Sequence, residues 1–405
     1  MTVANEPRSL LVDDILASAA RALASLNGAP VRIEAPEVLS HENRRNLIVR
    51  ARAVPDEGQA QSVIIKATRS TGYDPYAAAA FESSGLVREW VATAYLASRA
   101  PGRGHGASFL TGDVAQGMVV CEDLGAHVRS LVDPLLSGSA EDAERVLLGY
   151  TQALGRLHGD TVGCANAHAE TLKSVFGAHG SVEPSGRNFA GLAARVEQRM
   201  GGNLPAGDLA QIADRLGNPG AWQCLVHGDP CPDNALLVAG QVRLIDFEFA
   251  RPGHALLDAI YWRIGFPTCW CAGRILPEVA ARIEAAYRAE VGRAMPLALD
   301  DRVYEVECAY MVAAWLFLAL DWRFEEAVRS DAQWGVASLR GRLLWYLEAC
   351  IDATAKAGVL PGIHAAATAW LAELHRRWPA SNPLALYPAF ADAPRTCAEH
   401  GDTNG

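Results

Sequence analysis

Residues 225 to 250 constrain this chain more tightly than any other stretch. They read Leu225-Val-His-Gly-Asp-Pro-Cys-Pro-Asp-Asn234-Ala-Leu-Leu-Val-Ala-Gly-Gln-Val-Arg-Leu-Ile-Asp246-Phe-Glu-Phe-Ala250. Short apolar runs, Ala235 to Val238 and Val242 to Phe247, flank Gly240-Gln241, a turn signal, so a β-hairpin is expected. Such a hairpin brings Asn234, at its start, next to Asp246, at its end. Asp229 precedes Asn234 by five residues. One tight loop can then aim a carboxylate at a substrate hydroxyl and an amide oxygen at a metal, which is the division of labour of phosphoryl transfer.

The residue types fit that chemistry. Mg²⁺ takes hard oxygen ligands in a near-octahedral shell, with one or two protein groups completed by water and phosphate oxygens. Asn234 and Asp246 form such a partial shell. Asp229 stays free to orient the acceptor hydroxyl and take its proton. His227 is read as a structural residue that bonds loop backbone. The tripeptide alone carries little information, because Leu157-His158-Gly159-Asp160 repeats it. There a helical pattern ends, Ala165 stands where Asn would be needed, and no strand with an aspartate follows. That copy is read as a helix end with Gly159 near the cap.

With 405 residues, 50% hydrophobic and 20% charged, the chain suits a soluble globular protein of two lobes or more. A formal net charge of −10 argues against a protein made to bind nucleic acid or an anionic membrane. Nine cysteines, at 121, 164, 224, 231, 269, 271, 308, 350 and 397, show no paired zinc spacing, and reduced cytosolic thiols are expected. Cys269-Trp-Cys271 has no second half and is not expected to hold a metal. Acidic Glu6, Asp13 and Asp14 do not suit a secretion signal, and no stretch is read as reaching the roughly 18 apolar residues of a spanning helix. Cys308 to Leu320 is read as a buried core helix. The cytoplasm is the expected location.

Along the chain, residues 10 to 26 are helical in period and stop at Asn27-Gly28. Val31 to Leu39, Asn46 to Val54 and Ser62 to Thr68 are strand-like, and the last two flank the turn Pro55-Asp-Glu-Gly58. Lys66 lies inside the third strand among residues that want burial. The helix of Leu86 to Leu96 offers it Glu89 as a partner, with Glu82 as the alternative. A strand lysine paired with a helical glutamate and directed at nucleotide phosphates is the arrangement of protein-kinase-like folds. Gly117 to Gly125 gives a strand that leaves through Glu122-Asp123-Leu124-Gly125, an extended crossing able to face a purine edge. Segments 141 to 158, 187 to 215, 277 to 294, 301 to 328, 332 to 357 and 362 to 377 read as helices. From about Asp392 a disordered tail is expected.

Lys66, Glu89, Val226-His-Gly-Asp-x4-Asn234 and Leu244-Ile-Asp246-Phe-Glu-Phe-Ala250 together resemble the aminoglycoside phosphotransferase and choline kinase group of small-molecule kinases. The likeness covers roughly residues 30 to 265. It implies an α+β, bilobal, protein-kinase-like fold with a β-rich N-terminal lobe over 1–121, a hinge at 122–125 and a helical C-terminal lobe over 126–391. It implies that ATP or GTP is the phosphoryl donor, Mg²⁺ the cofactor, and a small-molecule hydroxyl the acceptor, such as one on an aminoglycoside or amino-alcohol. Asp229 would be the base, Asn234 and Asp246 the metal ligands, Lys66 the α/β-phosphate contact, and Glu89 its ion-pair partner. Glu122 and Leu124 would belong to the purine-reading hinge. Asp258 matches an acidic position shortly after the metal aspartate and would hold the catalytic loop.

Two features depart from protein kinases. Between the first two strands stands Ser40-His-Glu-Asn-Arg-Arg-Asn46, without glycine, so Ser40, Asn43 or Arg44 are the candidate phosphate contacts there. Pro230 and Pro232 stiffen the loop after the base. Glu305, Trp315, Asp321, Trp322, Glu325 and Glu326 are candidates for a cationic acceptor's pocket, or form a solvated helix face with the arginines between them. The other functions considered are a nucleotide-binding regulator of the same fold, a hydrolase with His227, Asp229 and Asp246 on a metal, and a protein kinase. The last lacks an Asp-Phe-Gly and activation segment after Asp246.

Overall fold

The structure, a computed structural model, describes residues 12–42, 44–70, 73–76, 81–177 and 188–391. Asn43 and the expected tail from Asp392 lie outside these residues, as does the side chain of Glu82.

Helix α1 (Val12–Asn27) ends at Gly28, whose φ of 69° suits a left-handed cap. Strands β1 (Val31–Val38), β2 (Asn46–Pro55) and β3 (Gln61–Thr68) follow, then helix α2 (Phe81–Arg99) and strands β4 (Phe109–Asp113) and β5 (Met118–Glu122). They form one antiparallel five-stranded sheet in the order β1-β2-β3-β5-β4. The period of two in β2 and β3 sorts the sheet's faces. Leu47, Val49, Ala51, Val63, Ile65 and Ala67 pack against Ile15, Ala19 and Leu23 of α1. The alternate residues Ile48, Arg50, Ile64 and Lys66 therefore face the other way and line a cleft.

Below the sheet come β6 (Arg129–Ser130), α3 (Val132–Ser137), α4 (Ala140–Asp160), α5 (Ala165–Phe176), α6 (Phe189–Met200) and α7 (Ala206–Gly217). Next are β7 (Gln223–Val226), β8 (Ala235–Val238), β9 (Gln241–Leu244), β10 (Arg251–His254) and α8 (Leu256–Ala259). Finally α9 (Pro277–Val291), α10 (Asp301–Arg329), the small hairpin β11 (Gln333–Trp334) with β12 (Ala337–Ser338), α11 (Leu339–Ala357) and α12 (Pro361–Arg377) close the lobe. The architecture is α+β and bilobal.

Three expectations need correction. The single helix over 187 to 215 is two, because Gly201 and Gly202, at φ 72° and 111°, end α6 and start a turn. The helix over 332 to 357 begins only at Leu339: Gly335 at φ 65° makes a hairpin first, and Ser338 caps the helix by accepting from Gly341 N at 3.1 Å. The chain also does contain a helix long and apolar enough to cross a membrane, α10, with mean hydropathy 1.5 over its most apolar 18 residues. Of that window 67% is buried within the fold. Its core side chains Met311, Phe317 and Leu320 are fully enclosed by the surrounding helices.

Candidate active site

Lys66, on β3, is 8% exposed and its ammonium lies 2.5 Å from Glu89 on α2. It also donates to Asp246. Burial alone would lower the lysine's pKa, but the carboxylates of Glu89, Asp246 and Glu248 outweigh it and raise it, so the ammonium is held charged. Burial lifts the Glu89 carboxyl and the ammonium pulls it back. Asp246 is also raised by burial, yet its contact with Lys66 keeps it below the ordinary carboxylate range.

The catalytic-loop candidates sit between β7 and the hairpin β8–β9. Ala239 and Gly240 turn that hairpin with φ of 48° and 80°, which matches the right-handed twist of the strands. Ala235 faces Leu244, and Ile245 N donates to Asn234 O at 2.9 Å, so the ends carrying Asn234 and Asp246 run side by side. Asp246 itself is left-handed, φ 65°, a conformation rare for a residue with a Cβ. Asn234 Nδ2 donates to Asp229 O at 3.0 Å and to Asp229 Oδ2 at 3.3 Å. Its amide oxygen, the atom a hard cation would take, is turned the other way. The donor set of Asn234 and Asp246 therefore suits Mg²⁺.

Asp229 is mostly enclosed, and burial pushes its carboxyl up to about 7, against a hydrogen bond from Thr268 that pulls it down. Its loop is held from several sides. Tyr150 donates to Pro230 O at 2.6 Å and Tyr261 to Gly228 O at 3.2 Å. Asp258, on α8, accepts His227 N at 2.6 Å and Gly228 N at 3.0 Å. His227 is fully buried, its Nε2 lies 2.9 Å from Ile245 O, and its Nδ1 faces Asp229 N at 3.4 Å. Both ring nitrogens are engaged, which leaves none for a metal.

Two cavities meet at this loop. One, about 320 Å³, lies under the sheet between Ile48, Ile64 and Lys66 above and Leu236 and Leu244 below, with Glu122 to Gly125 along its edge. The other, about 830 Å³, carries Asp229 in its wall. Asn234 and Asp246 line both. Asp123 at the edge is anchored by Arg50, at 2.9 Å, and by Ser62, at 2.6 Å. Glu122 N is taken by Ser108 O at 2.8 Å. Ser40 lies outside the lining of both cavities, and its hydroxyl accepts from Ile48 N at 3.0 Å. Arg44 lines the larger one.

Several residues around the site went unnoticed in the sequence. Cys231 and Cys269 form a disulfide, which corrects the expectation of reduced thiols for these two; Cys121, Cys164, Cys224, Cys271, Cys308 and Cys350 are free. Residues 268 to 270 contact alternate residues of the loop: Thr268 bonds Asp229, Cys269 is linked to Cys231, and Trp270 Nε1 donates to Asp233 at 2.8 Å. His158, in the repeated tripeptide, is fully buried with Nε2 3.2 Å from Asp258. α4 ends at Asp160, so the tripeptide lies in the helix's last turn as expected, and its His158 in addition supports the loop. Arg45 pairs with Glu248. No spacing rule announces contacts between residues this far apart in sequence.

Of the acceptor candidates, Trp315 and Trp322 line the cavity of Asp229. The acidic ones are tied up elsewhere: Glu305 with Arg263 and Lys356, Asp321 with Arg195 and Arg199, Glu325 with Arg199, and Glu326 with Arg323.

A family model described as "Phosphotransferase enzyme family" matches residues 92–297. Among solved structures, the chain is similar to choline kinase from Cryptosporidium parvum Iowa II, at 12% identity over 82% of this chain and 93% of that one, TM-score 0.47. It is similar to choline kinase LicA from Streptococcus pneumoniae at 13% identity, over 82% and 96%, TM-score 0.41. The amicoumacin kinase hAmiN, solved with AMP-PNP, Ca²⁺ and Ami, is 13% identical over 87% and 90%, TM-score 0.40. No curated protein matches the chain at the sequence level.

Proposed function

The chain belongs to the phosphotransferase enzyme family, and on that premise we propose that it transfers the γ-phosphoryl group of ATP or GTP to a hydroxyl of a small molecule. The observation that carries this reading is the pair of cavities with Asn234 and Asp246 in common and Asp229 in the wall of the larger one. A nucleotide in the smaller cavity would rest its base between the apolar side chains of Ile64 and Leu236. Because Glu122 N is already bonded, the backbone donor that reads the purine would come from Asp123 or Leu124, with the carbonyls of Glu122 to Leu124 as the acceptors. Lys66 would meet the α and β phosphates.

In the transfer, the acceptor oxygen bonds to the γ-phosphorus while the bond from phosphorus to the bridging oxygen breaks and the nucleoside diphosphate leaves. Asp229 takes the hydroxyl proton, a role helped by a carboxyl held near neutrality. Asn234 and Asp246 would hold Mg²⁺, which when bound supplies positive charge to the phosphate oxygens. Lys66 adds a fixed charge that needs no reorganisation during the step. The engaged nitrogens of His227 disfavour the hydrolase reading.

The test is magnesium-dependent nucleotide consumption by the purified protein against a panel of alcohols, with Asp229→Asn alongside. Asp229→Asn should lose about 100-fold or more in turnover and still bind nucleotide. Near-normal turnover in that variant would sink the assignment of the base.

A further inference from the structure

The larger cavity is walled by Trp270, Trp315, Trp322 and Trp334, with Leu318 beside them. Trp270 is 41% exposed, Trp322 53% and Leu318 40%. Leaving that much aromatic and aliphatic surface in water beside a charged site is costly unless something apolar covers it. The rings are also fixed in place. Trp315 Nε1 donates to Leu257 O at 2.9 Å, and Trp322 meets Trp334 edge-on with centroids 5.3 Å apart.

The charges argue against a cationic guest. Four carboxylates line this cavity: Asp246 is paired with Lys66 and Glu248 with Arg45, whereas Asp229 and Asp233 have only neutral donors such as Thr268 and Trp270, and Asp233 Oδ1 is left without a partner among the described residues. Arg44, Arg45 and Arg251 line it too. A polycation would find two carboxylates already neutralised and three arginines among them, and so only Asp233 beside Asp229 to meet rather than a row. Two of the four tryptophans are not free to cage an ammonium either. Arg323 already stacks on Trp322 at 3.8 Å and on Trp334 at 4.2 Å, and Arg342 lies over Trp334 at 4.5 Å. What these rings still offer is apolar surface.

Resting on the phosphotransfer reading above, we infer that the acceptor is an alcohol on a largely apolar, ring-bearing body with at most one positive charge, seated against the tryptophan wall with its hydroxyl at Asp229. A cavity of about 830 Å³ accommodates a drug-sized molecule. The acceptor body contributes burial, and only its hydroxyl needs directional contacts.

The test uses the uncharged fluorophore N-phenyl-1-naphthylamine on the full-length protein, read by its emission. It should bind saturably, and Trp322→Ala and Leu318→Asp, both at exposed positions, should each weaken it by about ten-fold. Millimolar kanamycin or choline should not displace it. In parallel, nucleotide consumption is followed with a macrocyclic lactone glycoside, a steroid glycoside, kanamycin and choline. Acceleration should come from the ring-bearing glycosides. Equal probe affinity in wild type and both variants, displacement by kanamycin or choline, or acceleration by those two alone would overturn the inference while leaving phosphotransfer standing. Failure to bind magnesium nucleotide at all would overturn the phosphotransfer reading instead, whatever the probe shows.

Discussion

Cys269 is joined by a disulfide to Cys231, two residues beyond Asp229, across a Cα–Cα distance of 5.6 Å. The bond lies between Thr268, which hydrogen-bonds the Asp229 carboxylate, and Trp270, which hydrogen-bonds Asp233. Three consecutive residues thus clamp three alternate residues of the loop that carries Asp229, the proposed base. Closing a loop between residues 38 apart lowers the entropy of the unfolded chain by an amount worth about 4 kcal/mol. Reduction by a dithiol, which is itself oxidised as two thiols form, should lower the melting temperature. It should also lower turnover about three- to ten-fold if Asp229 acts as the proposed base, because Asp229 loses a fixed neighbour. Cys269→Ser should behave like the reduced protein and ignore the dithiol. Turnover and melting measured with and without dithiothreitol decide it: identical values in wild type would mean that the bond does not position Asp229.

The trio of Lys66, Glu89 and Asp246 should respond unequally to substitution. Lys66→Met strands the buried Glu89 and the partly exposed Asp246 without their cation, and the loss at buried Glu89 alone costs about 3 kcal/mol. It should also weaken nucleotide binding. Glu89→Gln leaves the ammonium paired with Asp246 and should cost less stability. Thermal melts and nucleotide titrations of the two variants give the order, and a Lys66→Met protein as stable as Glu89→Gln would contradict it.

Gly228 and Gly240 have nearly the same backbone angle, φ 81° and 80°, in very different surroundings. A Cβ on Gly228 would lie 2.4 Å from Phe249 O, whereas one on Gly240 would meet nothing within 4 Å. Gly240→Ala should cost only the left-handed strain of about 1 kcal/mol. Gly228→Ala must in addition push the loop off the turn at residues 247–249, and turnover should fall with stability. Equal melting temperatures for the two variants would refute the close approach.

His168 is 2% exposed, and burial lowers its imidazole pKa to about 4. Below the ordinary value of about 6.5 the unfolded chain binds a proton that the folded chain refuses until about pH 4. Protons therefore favour unfolding in that window: stability falls as pH drops through it and is unaffected above it. Between about pH 7.5 and about pH 5 the loss should be about 2 kcal/mol. His168→Leu should remove this part of the acid sensitivity, measured as the difference in denaturation free energy at the two pH values. An unchanged pH slope would show that His168 is not responsible.

Much of the fold could be read along the chain because the signals were short-range. Strand alternation in 46–54 and 62–68 put Lys66 on the opposite face from Ile65 and Ala67, and the turn chemistry around Gly240 brought the ends of one hairpin together. Helix limits failed where glycine intervened, at Gly201-Gly202 and at Gly335, because a period of 3.6 persists through residues whose backbone turns away. Among the candidate site residues, Ser40 spends its hydroxyl on Ile48 N, a bond that residue type alone could not foretell.

The sequence by itself determined the spacing of Asp229, Asn234 and Asp246, and with it the family, because a single loop and hairpin carry all three within eighteen residues. Only the tertiary structure decided what surrounds them. The disulfide to Cys269, the bond from Thr268, the support of Asp258 by His158 and the tryptophan wall join segments tens of residues apart. Such contacts depend on how α4, α8, α10 and the 268–270 segment pack in three dimensions, and packing leaves no periodic trace in the order of residues.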